Sequence, residues 1–384
     1  MSQQHESSPL LGNAASSANA SYTPTPLSSS STTPPQHPEA KTAEQRHQET
    51  RGLIYMTLSA LFFSFMSLLV SMTAKTLPSF EIVLFRGIIQ TGLGVLACWY
   101  LGISPLGNPG VRFLLFCRGL AGSCGLACFF YALSALPLAD ATVIFFLGPT
   151  FTAILGRIVL KEPFTPLDAL ASAVSLVGVV LVAKPSVLFP PPPPSSPLSA
   201  LGESMFMLGV MEKDSAERRL LGTFAALGGA MCAAVAYVLV RKIGKQGAHS
   251  MQHVTYFGVV SCFVSVLGLY TQGGYVEPEG TLMWTGLVAL GVAAFVGQIL
   301  LNCGLQLSPL GPGTLMRMND IVFAFIFQIT IQHEHPDLTS YIGASLVMMC
   351  TAGMGLNKYR LEKKRVAQEK HSQQQGEPDS QITP

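Results

Sequence analysis

The sequence predicts an all-α membrane protein with ten transmembrane helices arranged as two inverted five-helix repeats. Three observations carry that prediction. Of 384 residues, 49% are hydrophobic and only 11% charged, and the mean hydropathy is +0.43, whereas a soluble domain is roughly 25% charged. After Gly52 the hydropathy rises and falls ten times, in stretches close to the ~20 residues that cross a ~30 Å hydrocarbon core. The third observation is an internal repeat: Pro137-Leu138-Ala139-Asp140-Ala141-Thr142 aligns with Pro309-Leu310-Gly311-Pro312-Gly313-Thr314 at an offset of 172 residues. The same offset sets Glu162 on Glu334 and Phe85 on Phe257. Five helices is an odd number, so the second repeat runs inverted relative to the first. Inverted repeats around a central site are a signature of transporters.

Composition also excludes alternatives. A formal net charge of +2 with no basic face gives no reason to expect nucleic-acid binding, so the implied partner is lipid. All eight cysteines fall in apolar stretches, where a free thiol acts as a small hydrophobe. Cys124 and Cys128 are one turn apart, but no His, Cys or carboxylate nearby completes a metal set, so they are read as packing residues. No cofactor is called for.

Along the chain, residues 1–50 are expected to form a disordered cytoplasmic tail, rich in Ser, Thr, Pro, Ala and Gln and without an apolar run. The tail lacks a signal-peptide pattern, so the first apolar stretch is expected to serve as an uncleaved anchor. The first repeat occupies 51–184, with apolar stretches near 52–74, 81–101, 112–135, 138–156 and 167–183. Residues 185–219 form a Pro-rich loop on the far side, whose Pro190 to Pro194 run reads as a polyproline spacer. The second repeat occupies 220–357, with stretches near 220–240, 252–271, 282–306, 311–331 and 339–356, and 358–384 is a cytoplasmic tail. Abundant glycine, 36 residues, suits helices that associate in lipid through small side chains.

Orientation follows from Lys and Arg in the connections. Lys41, Arg46, Arg51, Arg112, Arg157, Lys161, Arg241, Lys242, Lys245 and the basic run from Lys358 to Arg365 crowd one side. Only Lys75, Lys184, Lys213, Arg218 and Arg219 lie on the other, so both termini are expected in the cytoplasm. Glu6-Ser7-Ser8-Pro9-Leu10-Leu11 fits an acidic dileucine sorting pattern. Asn19-Ala20-Ser21 fits a glycosylation acceptor that a cytoplasmic tail would never have modified.

Charges within apolar segments are the candidates for function. An arginine at the centre of a membrane helix costs about 2.5–3.5 kcal/mol on insertion scales, so it faces a cavity or a partner. Arg86, Arg118 and Arg317 each lie roughly 8–9 Å inside their segments at ~1.5 Å per residue, against one deep carboxylate, Asp320. Surplus positive charge points to an anionic solute, since guanidinium offers a planar fork to carboxylate or phosphate oxygens. The alternatives are local pairing of Arg317 with Asp320 and of Arg86 with Glu81, and snorkelling of Arg118 to headgroups. Gln298, Asn302 and Gln306 follow each other at i,i+4, putting three amides on one helix face that must look inward, as a polar pathway or as interhelical glue. Asn319 beside Asp320 extends that surface.

Asp140 and Asp168 open the fourth and fifth helices and read as caps. Lys161 and Glu162 at a cytoplasmic helix end read as structural or gating contacts. His333, Glu334 and His335 make a weak metal pattern and read as a solvated loop.

The string Leu136-Pro137-Leu138-Ala139-Asp140-Ala141-Thr142, then Pro149 and Leu160-Lys161-Glu162, resembles the drug/metabolite transporter superfamily and its EamA-type repeat, over residues 51–358. Gly222-Thr223-Phe224-Ala225-Ala226, Arg241-Lys242-Ile243-Gly244-Lys245 and the run from Asp320 to Gln328 resemble the G subgroup of solute carrier family 35. The resemblance implies ten helices, with one to four and six to nine around a central cavity, the fifth and tenth peripheral, and alternating access. The family's Leu-Lys-Glu ending is intact only in the first half; the second reads Gln332-His333-Glu334-His335.

The expectation is therefore a multi-pass secondary transporter of a small organic anion, such as a carboxylate, phosphate ester or nucleotide conjugate. It would sit in the plasma membrane or an endomembrane of the endoplasmic reticulum, Golgi or endolysosomal system. A homodimer is left open as a further partner. A transport-inactive adaptor acting through partner binding is the alternative. An intramembrane enzyme is not expected, because no zinc motif, nucleophile–base pair or Gly-rich nucleotide loop is present.

Overall fold

A computed structural model describes residues 43–375 apart from 75, 137, 163–164, 186–187, 189–207, 272–273, 332 and 334–336. The sorting pattern, Asn19, the polyproline run and Glu334 lie outside the described residues. Among the described residues there are helices and no strand. In chain order these are α1 (Ala43–Thr73), α2 (Ser79–Tyr100), α3 (Pro109–Ala135), α4 (Leu138–Phe145), α5 (Gly148–Leu160) and α6 (Pro166–Ala183). They continue with α7 (Leu208–Gly244), α8 (Ser250–Thr271), α9 (Thr281–Leu307), α10 (Leu310–Met316), α11 (Asn319–Thr330) and α12 (Leu338–Gln375).

Nine spans among the described residues are long and apolar enough to cross a membrane, the α4–α5 pair counting as one. The stretch expected at 311–331 is instead two short helices, α10 and α11, parted at Arg317 and Met318. Both interruptions have a local cause. Pro149 has no N–H to give to Phe145 four residues back, and the chain turns at Phe146 and Leu147 through a tighter bond, Leu147 N–H to Ile144 O at 3.1 Å. In the second repeat the bonds tighten without a proline at the matching place: Arg317 N–H donates to Thr314 O at 3.2 Å and Asp320 N–H to Arg317 O at 3.1 Å.

The 172-residue offset is written into the helix ends. Moving α3 by 172 gives the bounds of α9, and the starts of α4 and α6 move onto those of α10 and α12. Packing repeats as well. α3 packs on α7 and α1 on α9, which is one contact made twice, while α2 packs on α8 and α6 on α12, each element against its own counterpart. Backbone approaches so close that only glycine fits. A Cβ on Gly178 would stand 2.7 Å from Gly343 O, and one on Gly343 would stand 2.6 Å from Gly178 O. Between α3 and α7, Gly125 and Gly229 face each other's carbonyls at 3.0 Å. In lipid, where apolar burial drives little, such contacts supply dispersion and hold the repeats together.

Outward faces are apolar: Phe113, Ile158, Leu170, Phe263, Leu267 and Leu282 are exposed in the isolated chain, as lipid-facing side chains must be. Many hydroxyls return to the carbonyl one turn back, as Thr57 to Leu53, Thr152 to Gly148 and Thr255 to Met251. The helix α6 starts in a capping box: Thr165 Oγ1 accepts from Asp168 N–H at 3.2 Å, and Asp168 Oδ2 accepts from Thr165 N–H at 3.0 Å. Asp168 is thus a cap, as its position suggests, and Asp140 lies buried in the first turn of α4.

Three helices run past the boundaries expected for the repeats. Helix α1 begins at Ala43, inside the tail expected to be disordered; α7 begins at Leu208, inside the expected loop; α12 continues to Gln375, inside the C-terminal tail. These flanks hold Glu, Gln, Lys, Arg and Ala, which favour helix as strongly as leucine does. Hydropathy marks where lipid ends, not where the helix ends.

Candidate functional site

Arg118 is the most deeply placed of the three arginines, 2% exposed and therefore out of reach of headgroups. Its Nη2 donates to Gln298 Oε1 at 3.2 Å and Asn302 Oδ1 at 3.1 Å, both on α9. The guanidinium lies over the ring of Phe257 on α8, 4.8 Å from the centroid. Arg86, on α2, lies over the same ring at 5.6 Å. Such stacking is worth about 0.5–2 kcal/mol. Four helices, α2, α3, α8 and α9, thus converge on one aromatic ring and two cations.

Arg317 is differently placed. Its Nη1 meets Asp320 Oδ2 at 3.1 Å, and its guanidinium lies 4.2 Å from the centroid of Phe63 on α1. Asp320 also accepts from Ser64 Oγ, at Oδ1 (2.5 Å) and at its carbonyl oxygen (2.7 Å), so the only carboxylate expected at depth is engaged. The local pairing of Arg317 with Asp320 is therefore seen. Glu81 instead accepts from Val276 N–H at 3.0 Å, and no ion pair joins it to Arg86 among the described residues. Arg86 and Arg118 thus share the Phe257 ring, while Arg317 sits against Phe63.

Arg86 Nε, Arg118 Nε and Nη1, Arg317 Nε and Asn302 Nδ2 are buried without an acceptor. Buried donors in folded proteins are nearly always bonded. Among the described residues no carboxylate forms an ion pair with Arg86 or Arg118.

The amide row divides. Gln298 and Asn302 serve Arg118, whereas Gln306 accepts from Ser250 Oγ at 3.0 Å and donates to Ala248 O at 3.3 Å, tying α9 to the start of α8. Asn319 points elsewhere too: its Nδ2 donates to Met316 O at 3.1 Å and its Oδ1 accepts from Thr351 on α12 at 2.8 Å. Glu162 receives two hydrogen bonds and a longer ion pair. Oε1 accepts from Arg241 Nε at 2.8 Å, with Lys245 Nζ at 3.6 Å, and Oε2 accepts from Leu310 N–H at 2.8 Å. Lys161 adopts the left-handed conformation, φ 54°, that turns the chain from α5 to present Glu162. The described residues hold no group of three or more His, Cys, Asp or Glu that could take a metal.

Sequence reasoning missed Phe257, Phe63, Ser64 and His253. Phe257 was visible only as the repeat partner of Phe85, and one more phenylalanine in an apolar helix carries no signal. His253 did carry one, as an imidazole inside an apolar stretch.

With that geometry in hand, the comparisons are direct. The EamA-like transporter family matches twice, over residues 50–184 and 220–356. The chain belongs to the EamA-like transporter family. Both matched spans coincide with the two repeats. The chain is 34% identical over 308 residues to solute carrier family 35 member G1 of Homo sapiens, covering 80% of each chain. It is 31% identical to an uncharacterized membrane protein of Saccharomyces cerevisiae, over 78% of this chain and 74% of that one. It is 26% identical to the pseudopaline exporter of Pseudomonas aeruginosa, over 80% of this chain and 96% of the exporter. A solved crystal structure, 20% identical, superposes with a TM-score of 0.64 over 81% of this chain and 98% of its own, which supports the fold alone. This EamA-like chain is an integral membrane transporter of two-repeat, all-helical architecture.

Proposed function

We propose that this chain is a secondary transporter that moves a small organic anion by alternating access, with ten crossings in two inverted repeats and both termini in the cytoplasm. The carrying observation is the pair Arg86 and Arg118, buried on one Phe257 ring with no carboxylate paired to them among the described residues. A buried unbalanced charge is costly, and a ligand that cancels it recovers that cost on binding. Two guanidiniums with free N–H groups suit carboxylate or phosphate oxygens. The α10–α11 pair, interrupted like α4–α5, is the tenth crossing, and broken helices at the repeat interface are where such carriers hold their solutes. The family membership supports transport, and one relative is named as an exporter of pseudopaline.

The test is ligand-induced stabilisation of the purified protein by a panel of organic anions, since a ligand that binds only the folded state at 100 times its Kd adds about 2.7 kcal/mol. The expected result is a rise in melting temperature with selected anions that Arg118→Ala abolishes. No shift with any anion, or the same shift in Arg118→Ala, overturns the anion site and favours an adaptor acting through partner binding.

A further inference from the structure

His253 lies on α8 one turn before Phe257, so the two side chains share a face of the helix. It is completely buried, at 0% exposure, and neither ring nitrogen has a hydrogen-bond partner. The ring of Phe257 carries the Arg118 guanidinium, 4.8 Å from its centroid. Arg118 in turn bonds Asn302, whose Nδ2 is also buried and orphaned and whose residue is 0% exposed. The imidazole one turn from Phe257, the guanidinium stacked on that ring and the amide bonded to it thus come from α8, α3 and α9, and each keeps at least one polar atom unspent.

An imidazole left unbonded in a protein interior forfeits the water it had in solution, which is why buried polar atoms are almost always partnered. The uncharged ring has one N–H donor and one bare nitrogen that accepts. Arg118 Nε, Arg118 Nη1 and Asn302 Nδ2 only donate. An oxyanion alone would satisfy these donors and the His253 N–H. It would leave the accepting nitrogen bare.

Resting on the anion reading above, we infer that His253 is a specificity-determining residue: it selects oxyanions that carry a hydroxyl beside the charged group, the oxygens going to Arg118 and Asn302 and the O–H donating to the imidazole. The shared chemistry is a hydroxylated carboxylate or a hydroxylated phosphate ester. A ligand with the charge but no donor leaves the bare nitrogen buried and unpaid, so it binds more weakly. A site that hydrogen-bonds a hydroxyl discriminates against the analogue lacking it far better than an apolar pocket can discriminate by shape.

The test compares matched pairs that differ by one hydroxyl, lactate with propionate and glycerol 3-phosphate with propyl phosphate, as ligands that shift the melting temperature of full-length purified protein and compete for binding. The wild type is expected to prefer the hydroxylated member of at least one pair by about tenfold, the scale of one hydrogen bond to a buried partner. The pair that shows it tells carboxylate from phosphate. His253→Phe is expected to bring that ratio to about one while the hydroxyl-free member keeps its affinity, and His253→Gln, which keeps a donor and an acceptor, to retain most of the preference. Should His253→Phe fail to fold, His253→Ala supplies the same reading. A wild-type ratio near one in both pairs, or a preference that survives His253→Phe, overturns the role of His253 and leaves the anion site standing. Failure of all four compounds to bind overturns the hydroxyl selection proposed for His253, while the anion reading stands or falls with the wider panel.

Discussion

The two interrupted helices are the same device built twice with different contents. The 172-residue offset sets Phe145 on Arg317, Leu147 on Asn319 and Gly148 on Asp320. The first copy breaks among apolar side chains at Pro149; the second breaks around an ion pair that α1 grips through Ser64 and Phe63. The long helices divide in the same way. Arg118 of α3 stands where α9 has Leu290, and Gln298 and Asn302 of α9 stand where α3 has Leu126 and Phe130. Cation and amides therefore come from counterpart helices, at positions that do not correspond, and meet because the repeats interlock. The symmetry builds the framework, and the departures from symmetry build the site.

That division can be broken by exchanging matched positions. The largest effect belongs to Arg118→Ala, expected to lower uptake into proteoliposomes about 100-fold or more, as truncating a buried, hydrogen-bonded charge does at interfaces. Its counterpart Leu290→Ala should cost about 3 kcal/mol of stability through the cavity it leaves, with uptake per folded molecule nearly unchanged. Equal loss of uptake from both would dissolve the distinction between frame and site.

Next comes Asp320→Asn, which strands Arg317 and is expected to destabilise the protein by about 3 kcal/mol, read as a lower melting temperature in detergent. Replacing both partners, Arg317→Met with Asp320→Leu, should restore most of that stability. A double variant no more stable than the single one would show the pair to be more than a balanced charge.

The smallest effect separates the two aligned phenylalanines. Phe257→Leu removes the ring beneath Arg86 and Arg118 and is expected to weaken anion binding about tenfold, the upper scale of desolvated cation–π contact. Phe85 packs edge-on against Trp284 at 5.4 Å, and Phe85→Leu should leave binding within about twofold. Equal effects in a titration would mean that the ring acts through packing and not through the cations.

Much of the frame was legible because membranes impose it. Ten apolar stretches, the repeat offset and the capping role of Asp168 all follow from one-dimensional patterns. The arginines were legible for the opposite reason, as charges that a lipid environment penalises. Their partners were not. Phe257 is 139 positions from Arg118 and chemically ordinary for its segment, so nothing local marks it as a cation's neighbour. Gln306 and Asn319 looked like continuations of a polar face, yet contacts with Ser250 and Thr351, on other helices, claim them. Helix ends beyond the apolar core escaped as well, because propensity extends α1, α7 and α12 where hydropathy has already fallen.

Glu162 binds the end of α7 through Arg241 and the start of α10 through the Leu310 amide, from a chain that has just left α5. Arg241 also donates to the carbonyl of Gln306 at the end of α9, so four helix termini from both repeats are lashed to one carboxylate and one guanidinium. Such a knot behaves like a keystone. A displacement of any one member loads the others at once, so the four termini hold their places together or not at all.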